Sequence, residues 1–241
     1  MNRNVQYRVA WPPFTKSIIA LAAGFFALWL LPILVEPLGS FVAHHLVLST
    51  ENVVADNEVW SLLTYGLFHH DFFGVFFTAF ALWIFGAELQ SRWGNTKWWL
   101  TQLGAVALGG VLTFVGLLAF ESSIAVQGYH AAVMALVTAY CWLWWRRPLY
   151  FFFFEMTGRT MLLFFLGLSV VMSLVSGYWP MIALNVAGVA VGFIASGRSL
   201  HPSDLRVRFR NWRLRRNLKV VPKTPETKPN GKKKSNGLHL N

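Results

Sequence analysis

Polar and apolar residues fall in long blocks along this chain. Six blocks are predominantly apolar, at residues 17–35, 62–85, 98–120, 124–145, 160–175 and 179–196. Most reach the about 20 residues that an α-helix needs to cross a hydrocarbon core. The pattern predicts an all-α, polytopic membrane protein with six transmembrane helices. The fifth block has an uneven start, because Arg147-Pro148, Glu155 and Arg159 interrupt it. The aromatic run 149–154 is therefore expected at the membrane interface, with the span beginning near Thr160. The sixth block is short and rich in small residues, which suits a central helix packed against protein on several sides.

The polar connections divide sharply by charge. Arg3, Arg8 and Lys16 precede the first block, Arg92 and Lys97 follow the second, and Arg146, Arg147 and Arg159 follow the fourth. The remaining 13 of the 21 basic residues lie at or beyond Arg198. Connections 36–61, 121–123 and 176–178 hold Glu36, Glu51, Asp56, Glu58 and Glu121, and no Lys or Arg. Basic residues mark the cytoplasmic side, so six spans with both termini in the cytoplasm are expected, in a bacterial inner membrane. Trp60, Trp98, Trp99, Trp142, Trp144, Trp145 and Trp179 all lie near block ends, where amphipathic rings prefer to sit. The first outer connection carries apolar residues around His44-His45 and is expected to form a short amphipathic helix in the outer leaflet.

Composition agrees with lipid as the principal solvent: 55% of the 241 residues are hydrophobic and only 13% charged, which excludes an ordinary soluble domain. The net charge of +11 does not point to nucleic acid, because it is concentrated in a tail beside the last apolar block. Four regions result: a cytoplasmic segment 1–16, a membrane domain 17–197, a basic amphipathic segment 198–221 and a disordered tail 222–241. In the third, Arg206, Arg208, Arg210, Arg213, Arg215 and Arg216 interleave with apolar residues and are expected to hold anionic lipid headgroups. The single cysteine, Cys141, excludes an internal disulfide and a cysteine metal cluster. No cofactor is indicated.

The second block opens Leu62-Leu63-Thr64-Tyr65-Gly66-Leu67-Phe68-His69-His70-Asp71, and Gly86-Ala87-Glu88-Leu89-Gln90-Ser91-Arg92-Trp93-Gly94 follows it. With the six-span layout, these motifs resemble the rhomboid family of intramembrane serine proteases, over roughly residues 17–197. The resemblance implies a nucleophilic serine in a glycine-x-serine-glycine motif of the fourth span and a histidine base in the sixth. It also implies a histidine and an asparagine, four apart in the second span, as oxyanion donors. In this chain the first motif falls on Gly128-Tyr129-His130-Ala131, so His130 stands at the nucleophile position. Asn185 stands at the base position, and Gly74 and Thr78 stand at the oxyanion positions. Serine hydrolysis needs an activated hydroxyl and a base within reach, so the resemblance implies an inactive member, a pseudoprotease.

Around the former active site, His69, His70, Asp71 and Tyr129 are candidate cleft residues. Gly188 and Gly192 are spaced to let the sixth span approach another helix closely, and Gly128, Ala131, Ala132 and Ala135 offer a small-residue face on the fourth. His130 and Asn185 are expected to hydrogen-bond to each other and plug the site. The resemblance implies a non-enzymatic binder of transmembrane segments of client proteins, reached through a mobile fifth span. Two alternatives remain: a histidine- or metal-dependent hydrolase at the outer face, and a lipid-perturbing protein. For the metal reading, His44, His45, His69, His70, Asp71 and His130 are the available side chains, but no H-x-x-x-H spacing joins them on one helix.

Overall fold

The computed structural model describes residues 15–151 and 154–197. The chain divides into two units, Met1–Arg198 and Ser199–Asn241, and the described residues all belong to the first. The basic segment 198–221, with Arg206, Arg208, Arg210, Arg213, Arg215 and Arg216, lies outside the described residues.

Helix α1 (Lys16–Leu34) begins at Thr15, whose hydroxyl oxygen accepts from the Ile18 N–H. The same hydroxyl donates to Gln90 at 2.5 Å, tying the start of α1 to a distant helix. Within α1 only Ile18 and Phe25 are buried. After Val35 the chain turns into α2 (Glu36–His45), which falls where a short helix is expected before the second block.

A π-helical turn (Glu51–Ala55) and the single-turn helix α3 (Ser61–Thr64) lead to the second apolar block. That block is not one continuous helix. After α3 the chain runs through a non-helical connection at residues 65–71 and restarts at α4 (Phe72–Ala81). The restart has a local cause: Asp71 caps α4, its carboxylate accepting from the Gly74 N–H at 2.7 Å. A π-helical segment (Leu82–Gly86) carries α4 into α5 (Ala87–Ala119). Gly94 breaks this long element, with φ 77° and ψ 169°, a conformation open only to glycine without strain.

Helix α6 (His130–Leu143) follows a short extended stretch whose Val126 pairs with Leu48. Strands β1 (Pro148–Phe151) and β2 (Phe154–Thr157) then form an antiparallel hairpin, with Leu149 opposite Met156 and Tyr150 opposite Glu155. The all-helical expectation thus misses one element, because the aromatic run is β-prone and pairs with its own continuation. Helices α7 (Gly158–Ser176) and α8 (Pro180–Ala195) complete the fold, α7 ending at Gly177 in the left-handed region.

The core lies where α5, α6 and α8 meet. Trp98, Leu117, Ala132, Ala135, Leu136 and Leu184 are fully buried there. Gly188 and Gly192 set the distance between α6 and α8: a Cβ on Gly188 would run into the Ala131 carbonyl oxygen, and one on Gly192 into that of Ala135. Backbone approach of this kind is how helices pack where no hydrophobic effect drives them together.

The outer faces are apolar. Phe73 and Phe77 of α4, Leu174 and Val175 of α7, and Ile194 of α8 are all exposed, far beyond what a water-facing surface carries. Among the described residues, three helical elements are long and apolar enough to cross a membrane, Lys16–Leu34, Phe72–Ala119 and Gly158–Ser176, and α6 and α8 are shorter apolar helices. At the Trp93 end of the bundle, Arg92 and Arg147 lie over the Trp144 ring at 4.4 and 5.0 Å, and Lys97 over Trp93 at 4.8 Å. Pairing of long basic side chains with indole rings is typical of a headgroup layer.

Candidate functional site

At the opposite end, the connection 65–71, the start of α4 and the start of α6 converge. His69 is buried, its ring edge-on to Phe25 of α1 at 5.1 Å. Its Nε2 lies 3.1 Å from the Thr78 hydroxyl and accepts the Tyr129 backbone N–H at 3.4 Å. A backbone N–H only donates, so Nε2 is the acceptor nitrogen and the ring proton belongs on Nδ1. His69 therefore cross-links α4 to the residue that precedes α6. Tyr129 is also buried and packs on Phe25 at 5.0 Å.

Gly128 makes the turn into α6. Its φ is 98°, and its N–H donates to the Tyr65 carbonyl at 2.9 Å. The imidazole of His130 folds back over it: a Cβ on Gly128 would lie 2.9 Å from His130 Nε2. Glycine is thus required twice over, by conformation and by space. His130 itself is the first residue of α6 and half-buried. Gly74 sits against Asp71 and His69, with 3.1 Å from a would-be Cβ to Asp71 Oδ2. His70 and Asp71 are exposed. Among the described residues, no three His, Cys, Asp or Glu side chains are placed to share a metal ion.

Asn185 does not bond to His130. Its Nδ2 donates to Ser169 Oγ of α7 at 2.6 Å, while its Oδ1 is buried without a hydrogen-bond partner among the described residues. The expected plug is replaced by a link between α7 and α8, because Ser169 is the hydroxyl within the amide's reach. Sequence reasoning missed Ser169. It differs from Asn185 by 16 positions, and only the α7–α8 crossing brings them together. It likewise missed Tyr65, whose hydroxyl donates to the Val106 carbonyl at 3.0 Å and anchors the connection to α5.

On the same end, α2 is held to the segment that follows it. Asn52 donates to the Val47 carbonyl at 3.0 Å and to the His44 carbonyl. The buried Glu58 carboxylate meets His45 Nδ1, and His44 Nε2 lies 3.5 Å from Asp56.

Fold and surface define a multi-pass helical membrane protein with a polar site enclosed at one end of the bundle. The family model of the rhomboid domain matches residues 56–200, more than half of the chain, and the protein belongs to the rhomboid family. No curated protein matches it.

Proposed function

We propose that this protein is a catalytically inactive rhomboid that binds transmembrane segments of client proteins, for regulation, quality control or trafficking. The observation that carries this reading is the placement of Asn185. At the base position stands an amide bonded to Ser169, and at the nucleophile position stands the imidazole of His130, lying over Gly128. An amide does not take up a proton as a general base, and residues 124–131, which make the turn into α6, hold no serine or threonine for it to activate. What persists is a helical bundle with a long, mostly lipid-exposed α7, a suitable surface for another helix.

The same reading takes the bundle as six spans with both termini in the cytoplasm of a bacterial inner membrane. The kink at Gly94 supports it by dividing Phe72–Ala119 into two arms. The gathering of Arg92, Lys97 and Arg147 around Trp93 and Trp144 supports a cytoplasmic Trp93 end. The same reading assigns Arg206, Arg208, Arg210, Arg213, Arg215 and Arg216 to anionic lipids.

Quantitative copurification from native membranes with a mild cross-linker tests the proposal, comparing the natural chain with His130→Ala/Asn185→Ala. Enrichment of one or a few membrane proteins, reduced by the double change, is the expected result. Equal and unspecific recovery would overturn it.

A second reading, a histidine-dependent hydrolase, has one observation in its favour: the Thr78 hydroxyl stands 3.1 Å from His69 Nε2, the spacing of a nucleophile and its base. Against it, that nitrogen already accepts from Tyr129 and the pair is buried. Turnover of a peptide or ester substrate, lost in Thr78→Val, would move the balance to it.

A further inference from the structure

Helix α7 touches the rest of the bundle along one narrow stripe. Gly158, Met161 and Leu162 are buried near its start and Ser173 near its end, with Phe165, Leu166 and Ser169 partly covered between them. Most other positions are exposed, including Leu163, Phe164, Leu168, Val170 and Val171. Midway along this stripe one polar contact crosses to α8, the Asn185 amide on the Ser169 hydroxyl at 2.6 Å. Asn185 is only 5% exposed, yet its Oδ1 has no partner, and a buried acceptor without a donor is costly in lipid. One position further along α8, Val186 is exposed, as is Ile182 a turn earlier. The seam that contains Asn185 therefore borders a face of α8 open to lipid.

We propose that Asn185 is a recognition residue for a transmembrane helix carrying one polar side chain, a carboxamide or a hydroxyl, at mid-membrane depth, with Ser169 its internal stand-in. Ser169 satisfies only the donor half of the amide. A side chain from an incoming helix that donates to Oδ1 satisfies the other half, and a carboxamide can complete both bonds at once. Such a group is costly to leave in hydrocarbon alone, so the helix that bears it gains by entering the α7–α8 seam. A wholly apolar helix gains nothing there that lipid does not already supply. This inference rests on the helix-binding reading above and adds to it the chemistry of the client.

The test uses the full chain in phosphatidylcholine vesicles and fluorescence energy transfer to two labelled single-span peptides, one of leucine only and one with a single central asparagine. The expected preference for the asparagine peptide is about 3-fold to about 18-fold, the range of interhelical hydrogen bonds in membranes. Asn185→Leu should make the two peptides equal. Ser169→Ala leaves the amide in place and removes its internal partner, and should enlarge the preference. A preference that survives in Asn185→Leu, or that Ser169→Ala does not raise, overturns the assignment. Equal binding of both peptides by the natural chain overturns it too and leaves helix binding standing, whereas binding of neither peptide removes both.

Discussion

Asn185 hydrogen-bonds to Ser169 across the α7–α8 seam and not to His130. The amide joins two helices, and under the proposed inactive reading this link takes the place of a group that moves a proton. Restoring single parts should not restore hydrolysis. His130→Ser with Asn185→His is expected to show no cleavage of a transmembrane reporter substrate above the natural chain, because Gly74 offers no side chain at an oxyanion position and Thr78 is engaged with His69. Cleavage by the double variant would show that the rest of the catalytic apparatus survives.

The turn into α6 gives a second prediction. Gly128→Ala should destabilise the protein by about 1–3 kcal/mol, the usual cost of holding a non-glycine residue in an unfavourable backbone region. The steric share should disappear when His130→Ala is added, since the His130 ring is what a new Cβ meets. The backbone share should remain. A double-mutant cycle on unfolding in detergent separates the two, and perfect additivity would refute the contact.

Close packing of α6 and α8 gives a third. Gly188→Val or Gly192→Val forces Cβ atoms into the carbonyls of Ala131 and Ala135. Overpacking of this kind costs about 1–3 kcal/mol or more. Gly167, with nothing near its Cβ, is the control: Gly167→Ala should be neutral or stabilising in the same unfolding assay.

A fourth concerns the segment around α2. Asn52→Ala removes donors from two carbonyls, those of Val47 and His44, and should cost about 1–3 kcal/mol. The loss should appear as faster proteolysis within residues 46–60, with the α5–α6–α8 core unaffected.

Orientation is testable by labelling. Cys141 is fully buried, so a Cys141→Ala background carries single new cysteines cleanly. Asn57→Cys is expected to react with an impermeant maleimide from outside the cell, and Asn95→Cys only after the membrane is opened. The same sidedness at both positions would contradict the proposed number of spans.

Much of this architecture is legible in the residues because lipid imposes long apolar helices and charge marks their ends. The fifth and sixth blocks, 160–175 and 179–196, nearly coincide with α7 and α8. The break at residues 65–71 shows in the sequence only as His69-His70-Asp71 within an otherwise apolar block; it comes from the Asp71 cap and the Gly128–Tyr65 backbone bond. The hairpin 148–157 was hidden for the opposite reason, its phenylalanines suiting an interface as well as a strand. At the site, the resemblance points to His130, Asn185, Gly74 and Thr78, whereas the pairing of Asn185 with Ser169 depends on a helix crossing that no local pattern encodes.

Helix α7 is fastened unequally at its two ends. Near its start Gly158 lies against the backbone carbonyls of Cys141 and Trp144, so close that a Cβ there would collide with them, and the hairpin runs directly into it. Near its other end, the Ser173 hydroxyl donates to the Tyr178 carbonyl and Ser176 accepts from the Tyr178 N–H, bonds to the turn before α8 with no backbone packed as closely. A 19-residue helix is about 28 Å long. With Gly158 as the fulcrum, a swing of about 10° would carry the far end about 5 Å, one helical turn, and would have to break the Ser169, Ser173 and Ser176 bonds.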